Sequence, residues 1–416
     1  MSGTVVGLDI GTTFVKVAIG EIDDNNNVEI IGYAKKPSSG LRNGVIVNID
    51  AAVEAIKSAV EAAEQMAGTE VTDVYTAIGA QQVESRNSEG DVVVDTTNKL
   101  RTLEITPEVV SRAIESAKAV QIPMDKRGLS IIPQEYVIDD LPGTPEPLGM
   151  QGKRLKVKVH IITASITACT NLEQCIDRAG FMLNDISSKT LVASLATITK
   201  DEMGLGSILI DMGGGSTDVM VLNNGAPVYM TSIPVGGNLV TNDIAVVEGI
   251  PFASAEKVKI EKGCCWIQGD EDSEPVIIPG SGAMPPVETT QYELCEIIRP
   301  RIEQIFEMAR EDIVHHANLV RLNGSIVLTG GGALMPGIVQ LTQEYWGTTS
   351  VRIGEVVKLG DAEAGYRKPD FATAVGLVLS NKDTIVPAKS KKRKNVDRES
   401  ASKFGETVKN LFKKFF

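Results

Sequence analysis

The chain has 416 residues, 43% of them hydrophobic, enough to bury two or more cores. Its net charge of −13 is uneven: from Lys389 onward ten Lys and Arg face three Asp and Glu, while the preceding body carries 31 basic against 51 acidic residues. An acidic body argues against nucleic-acid binding there and leaves the basic tail to be explained separately. Five cysteines without ligand spacing, Cys264 and Cys265 being adjacent, and three histidines exclude a zinc framework or a disulfide scaffold. No signal peptide precedes Val5 and no apolar run reaches the ~18 residues of a membrane span, so a cytoplasmic chain with reduced thiols is expected.

In chain order, Val5 to Leu8 is an apolar strand that delivers Asp9. Gly11 then bends the chain, the hydroxyls of Thr12 and Thr13 follow, and Val15 to Ile19 returns. Lys16 lies on the returning strand, where alternation alone does not set its direction. A third strand is expected from Val28 to Tyr33. A helix starts near Asp50, its expected N-cap, with Val53, Ile56, Val60 and Ala63 on one face. With a strand at Val74 to Gly79, these elements make an α/β layer.

Residues 85 to about 160 form a separate module. Thr106 caps a helix with Pro107 at its first position, and strands follow at Leu129 to Ile132, Glu135 to Ile138 and Leu155 to Ile161. Helices near Thr170 to Ala179 and Thr190 to Thr199 return the chain to the first layer.

The grammar of the N-terminus then recurs. Ile208 to Ile210 is a strand that ends on Asp211; Gly213, Gly214 and Gly215 turn; Ser216 and Thr217 supply hydroxyls; Val219 to Leu222 leads into the turn Asn223-Asn224-Gly225. Such glycine turns let backbone N–H groups approach an anion closely, and Asp211 could hold a hydrated divalent cation, with Asp9 as its counterpart. Two such hairpins suggest a duplicated domain closing on one phosphate chain.

Gly236 and Gly237 open a helix over 238–248, and another begins at Ser254. Gly269 to Pro286 is a loop or short hairpin. A long helix spans about Thr289 to Leu319, with Leu294, Ile297, Ile298, Ile302, Ile305 and Met308 as its apolar stripe. The strand Ser325 to Thr329 ends on Gly330, Gly331 and Gly332, with Met335 before the next helix; a flat base could lie on that bare backbone. No P-loop pattern occurs, and no G-x-G-x-x-G opens a helix.

Three such sites in this order resemble the nucleotide-binding signature of the actin, sugar kinase and Hsp70 superfamily. The run Pro147 to Leu155 followed by Val159 to Thr163 is similar to the insert of one family within it, the bacterial cell-division FtsA family. So are Gly236-Gly237 with Val240 to Ala245, Ala255 to Lys259, Leu328 to Ile338, and Ala372 to Leu377. The resemblance implies an α/β, actin-like (ribonuclease H-like) duplicated fold with two halves around a central nucleotide cleft. It divides the chain into subdomain 1A (1–84 and 163–200), an inserted subdomain 1C (85–162), subdomain 2A (201–236 and 325–380), subdomain 2B (237–324), a charged linker (381–398) and a terminal helix (399–416).

It further implies ATP with Mg2+ as cofactors, held by the two hairpins, by Gly236 and Gly237, by Glu256 and Lys259 against the ribose and base, and by the third glycine run. Implied partners are further copies of the chain in actin-like protofilaments, other division proteins through the insert, and the C-terminal peptide of the tubulin-like protein FtsZ. The peptide would lie near Asn238, Asn242 and the start of the long helix, where Arg299 and Arg301 flank Pro300 and could pair with acidic residues. Phe14 stands where many relatives carry Lys. The stretch Lys189 to Ala196 lacks the Glu or Gln with which robust hydrolases of the superfamily position water, so at most a slow ATPase is expected and no catalytic residue is assigned. Other actin-like scaffolds of the PilM type and small-molecule phosphotransferases are the alternatives.

Beyond the linker a pattern returns. At 100° per residue Phe404, Val408, Leu411, Phe412 and Phe415 fall within one arc and Phe416 just beyond it, with Lys403, Lys409, Lys413 and Lys414 on the rest. That is a basic amphipathic helix suited to an anionic membrane interface. Together with the resemblance, it implies a peripheral protein at the cytoplasmic face of the cell membrane at the division site. A terminal helix packed on the body is the plainer reading.

Overall fold

The computed structural model describes residues 3–94, 103–119, 122–269, 273–280, 285–316, 324–360 and 364–385. Two five-stranded sheets of identical topology make its frame. The first runs Met182–Ser188, Asp73–Ile78, Gly3–Ile10, Phe14–Ile22, Val28–Pro37. The second runs Val351–Ile353, Ile326–Thr329, Ser207–Met212, Thr217–Asn223, Ala226–Ile233. In each, three consecutive strands form an antiparallel meander and two later ones join in parallel beside the first. Parallel joining needs crossovers, which the helices supply.

Both faces of these sheets are covered, which is why their strands are apolar almost throughout. Val6, Leu8 and Ile10 pack with Val53, Ile56 and Val60 of the helix Ile49–Ala67 on one face. On the other, Val5 and Ala18 share a core with Leu209, Met220 and Leu222 of the second sheet. The helices Lys189–Thr197 and Ala372–Asn381 fill the space between the halves. Their close approach needs Gly376, since a Cβ there would stand 1.9 Å from the Val192 carbonyl oxygen.

The module of the first half is a four-stranded sheet in the order Leu141–Thr144, Lys126–Ile138, Arg154–Ser165, Val83–Val93, covered by the helix Pro107–Lys118. Val109, Val110, Ala113, Ile114 and Ala117 form its buried stripe against Tyr136, Leu155 and Val157. It docks on the second half, where Asn87 Nδ2 donates to the Val228 carbonyl (2.9 Å) and Gln134 Nε2 to that of Pro227 (2.8 Å).

Several expectations need correction. Asn48, not Asp50, caps the first helix, its side chain accepting the Ala51 N–H. The two strands expected around residue 133 are one, Lys126–Ile138, in which Lys158 pairs with Glu135 and Val159 with Pro133, so that Gln134 is bulged. Val83–Val93 was not expected as a strand, because Glu84, Arg86, Glu89 and Asp91 give it little apolar alternation. Of the two alternatives for the acidic stretch before the long helix, the hairpin is found, Pro275–Ile278 with Val287–Thr290, and the helix itself, expected from about Thr289, is described from Gln291 to His316. Among the described residues no helix is long and apolar enough to cross a membrane. Phe404, Val408, Leu411, Phe412, Phe415 and Phe416, and most of the charged linker before them, lie outside the described residues.

Candidate functional site

The two glycine hairpins are congruent. Asp9 pairs with Lys16 and Ile10 with Val15 in the first; Asp211 pairs with Asp218 and Met212 with Thr217 in the second. Each turn closes with the same backbone bond, from Gly11 N–H to the Phe14 carbonyl (3.0 Å) and from Gly213 N–H to that of Ser216 (2.9 Å). The turns meet across the cleft. A Cβ on Gly214 would stand 2.0 Å from Thr13 Oγ1, and one on Gly215 would stand 2.7 Å from both Thr12 Oγ1 and the Asn43 Cα. Glycine is required there by close approach, not by a left-handed backbone.

Around the turns lies a cavity of about 490 Å³. Nearly all the residues expected to bind nucleotide line it: Asp9, Gly11, Thr12, Thr13 and Lys16 from the first hairpin, and Asp211 through Thr217 from the second. Gly237, Glu256, Lys259, Gly330, Gly331, Gly332 and Met335 complete its second-half wall. Gly236 stands just behind, where a Cβ would press on the Gly213 and Gly214 carbonyls. A Cβ on Gly331 would meet no protein atom within 4 Å, leaving this floor of the cavity open to a flat ligand. Glu256 Oε2 pairs with Lys259 Nζ at 2.6 Å and accepts from Thr241, whose hydroxyl also receives Lys259 Nζ at 2.7 Å.

Charge is concentrated at the strand ends. Lys189 Nζ donates to Asp9 Oδ1 at 2.7 Å and to the Ile10 carbonyl at 3.1 Å; Lys16 Nζ lies 3.5 Å from Asp9 Oδ2. Burial alone would raise the Asp9 carboxyl, but the Lys189 and Lys16 ammoniums outweigh it and hold the carboxyl below its usual range. Asp211 has the opposite fate: burial, then the Asp218 and Asp9 charges, push it up to about 7. Asp218 is also raised by burial, although the Ala80 N–H donates to it at 3.2 Å and the Lys189 ammonium lies near. Burial opposes the charge on Lys189, yet Asp9, with Asp211 and Asp218 beyond, keeps its ammonium above the ordinary lysine range.

Among the described residues no three His, Cys, Asp or Glu side chains are grouped so as to hold a bare metal ion. Asp9 and Asp211 on opposite hairpins instead suit a cation that keeps its water, as Mg2+ does when it rides on substrate phosphates.

Three participants were not expected. Lys189 carries its charge in from the start of a helix far along the chain. Asp218 is the cross-strand partner of Asp211. Lys35 pairs with Asp370 at 2.6 Å and lies 4.2 Å from the Phe14 ring centroid, which brings a cation to the face of Phe14. Register would have revealed Asp218 and the direction of Lys16, since directly paired residues share a face. Only the tertiary fold reveals Lys189 and Lys35.

The residues expected at a partner surface are divided. Asn238 lines the cleft, its Oδ1 accepting the Thr13 hydroxyl at 3.2 Å. Asn242 is exposed. Arg301 binds Asp243 through Nε (2.7 Å) and Nη2 (2.8 Å), and Arg299 binds Glu303 (2.7 Å) and Glu344 (2.6 Å). Both guanidiniums thus have carboxylate partners within the chain.

Solved structures share this architecture. The PilM-PilN type IV pilus biogenesis complex matches with a TM-score of 0.63 at 18% identity, over 91% of this chain and 98% of that one. MreB5 of Spiroplasma citri bound to ADP matches at 0.53 and 16%, over 92% and 97%. Fold and cleft together define an actin-like protein. The family model "SHS2 domain inserted in FTSA" matches residues 80–163, and that of "Cell division protein FtsA" matches residues 208–376. The Cell division protein FtsA of Borreliella burgdorferi is 40% identical over 90% of each chain, and that of Escherichia coli K12 is 32% identical over 98% of this chain and 96% of its own. The chain belongs to the FtsA family of cell division proteins.

Proposed function

We propose that the cleft binds ATP with a hydrated Mg2+, and that the protein assembles with copies of itself and tethers FtsZ to the cytoplasmic face of the membrane. The observation that carries the nucleotide reading is the pair of congruent glycine hairpins meeting turn to turn. Three carboxylates, Asp9, Asp211 and Asp218, against two ammoniums, Lys16 and Lys189, leave the site net negative when all are ionised, so a nucleotide's phosphates need a divalent cation to enter. MreB5 of Spiroplasma citri, similar in fold, is known bound to ADP and to AMPPNP. Thr12, Thr13 and the glycine N–H groups would hold phosphates, Asp9 and Asp211 the cation's water, and Glu256 with Lys259 the ribose and base. Turnover is slow at most, because no Glu or Gln lies in the stretch Lys189–Ala196.

Membrane attachment rests on the composition of residues 399–416. An isolated helix that short is marginal in water, so attachment is modest for one protomer and is raised by assembly. FtsZ peptide binding is assigned to the helix Gly237–Glu248, where exposed Asn242 neighbours exposed Val246 and Val247; the insert is left for other division proteins. Pelleting with anionic liposomes, with and without ATP and an FtsZ C-terminal peptide, tests the whole reading. Removal of residues 400–416 should abolish pelleting while ATP binding persists. Continued pelleting of the truncated chain puts membrane contact elsewhere.

A further inference from the structure

Two ammoniums serve one carboxylate at the first hairpin. Lys189 is the first residue of the helix Lys189–Thr197, and its stem lies over Gly79, where a Cβ would come within 3.0 Å of Lys189 Cδ. Its side chain is 18% exposed and lines the cavity. Asp9 Oδ1 is its counter-ion, and Asp9 Oδ2 already has Lys16 beside it. Asp9 is thus shared between two ammoniums, and the remaining acids near Lys189 are those of the second hairpin: Asp218, whose Oδ2 would lie 2.9 Å from the same Cβ on Gly79, and Asp211. Lys189 lines the same cavity as Thr12, Thr13 and the bare turn of Gly213 to Gly215. A half-buried ammonium with a shared counter-ion and an open cavity beside it has the chemistry of an anion ligand.

The position of Lys189 along the cleft decides which anion. Gly330 to Gly332 and the Glu256–Lys259 pair belong to the second half. Lys189 projects from the first half, on the wall that carries Asp9 and Gly79. A nucleotide whose base lies on the second-half floor and whose phosphates pass between the turns meets Lys189 with its last phosphate. We infer that Lys189 is the residue by which this cleft distinguishes a nucleoside triphosphate from a diphosphate, the terminal phosphate taking the place of Asp9 as its counter-ion. This rests on the nucleotide reading of the cleft and goes beyond it in naming the discriminating side chain.

Calorimetric titration of the full chain with Mg-AMPPNP and with Mg-ADP tests it, on the wild type, Lys189→Met and Lys189→Arg. The wild type should prefer AMPPNP. Lys189→Met should reduce the ratio of the two affinities tenfold or more while ADP affinity stays within threefold, and Lys189→Arg should retain much of the ratio. Circular dichroism checks folding; should the Met variant not fold, Lys189→Gln, which keeps a donor for Asp9, carries the same expectation. A ratio unchanged by loss of the ammonium, or equal weakening of both ligands, overturns the inference and leaves the nucleotide reading standing. A wild type that binds neither ligand overturns both.

Discussion

Across the first hairpin Asp9 faces Lys16; across the second, at the same register, Asp211 faces Asp218. The turns are of equal length and close with equivalent bonds, and the five strands around each follow one topology. Duplicated backbone thus fixes where two acids stand, and single side chains decide how each titrates. In the first half two ammoniums hold the carboxylate ionised. In the second a like charge and burial bring it to about 7. Two carboxylates held apart in this way can do different work, one as a fixed anion and the other as a group that gains its full charge when a cation arrives.

What the hairpins share should break first. Gly214→Val puts a side chain where a Cβ alone would stand 2.0 Å from Thr13 Oγ1. Backbone would have to shift at the point where the halves meet, and the anion cradle with it. Nucleotide affinity should fall more than about 100-fold, roughly 3 kcal/mol, by calorimetry. Affinity near wild type would mean that phosphate does not approach this turn.

The difference between the hairpins should appear as opposite signs of stability. Asp9→Asn leaves two half-buried ammoniums without their carboxylate, a change expected to cost about 3 kcal/mol. Asp211→Asn removes a strained charge. Because the folded-state value of Asp211 lies above its unfolded one, its contribution to stability is present below the ordinary carboxylate range and is lost as pH rises through about 7. The variant should therefore exceed the wild type at pH 8 by at least about 1.4 kcal/mol, the worth of one pKa unit, and match it near pH 4. Urea unfolding of the nucleotide-free proteins measures both. Equal losses in the two variants would mean that the acids are not differently placed.

The sequence showed the hairpins because glycine after an apolar strand and a carboxylate has few uses, and because that grammar occurs twice. It showed the insert's helix through Pro107 and its stripe. It did not show the strand Val83–Val93, whose alternate residues are charged, nor the capping role of Asn48 one position before the helix. The charge balance of the site was the least visible part. Lys189 reaches Asp9 from 180 residues away in the chain, and Arg299 and Arg301 look free until Glu303, Glu344 and Asp243 are brought beside them.

The finest test alters one partner and leaves the geometry. Asp218→Asn keeps an oxygen to accept the Ala80 N–H, bonded at 3.2 Å in the native chain, and removes the charge that, after burial, contributes most to raising Asp211. A hydrated Mg2+ needs Asp211 ionised, so Mg-nucleotide affinity in the wild type should rise with pH through about 7, where Asp211 loses its proton. In the variant the midpoint of that rise should move to lower pH, while the affinity reached at pH 8 changes little. Asp9, already held ionised by its lysines, adds no step in this range. A midpoint that stays in place would show that burial and the more distant Asp9 raise Asp211, and that the like-charged partner, which stands where the first hairpin has Lys16, has no part in the titration.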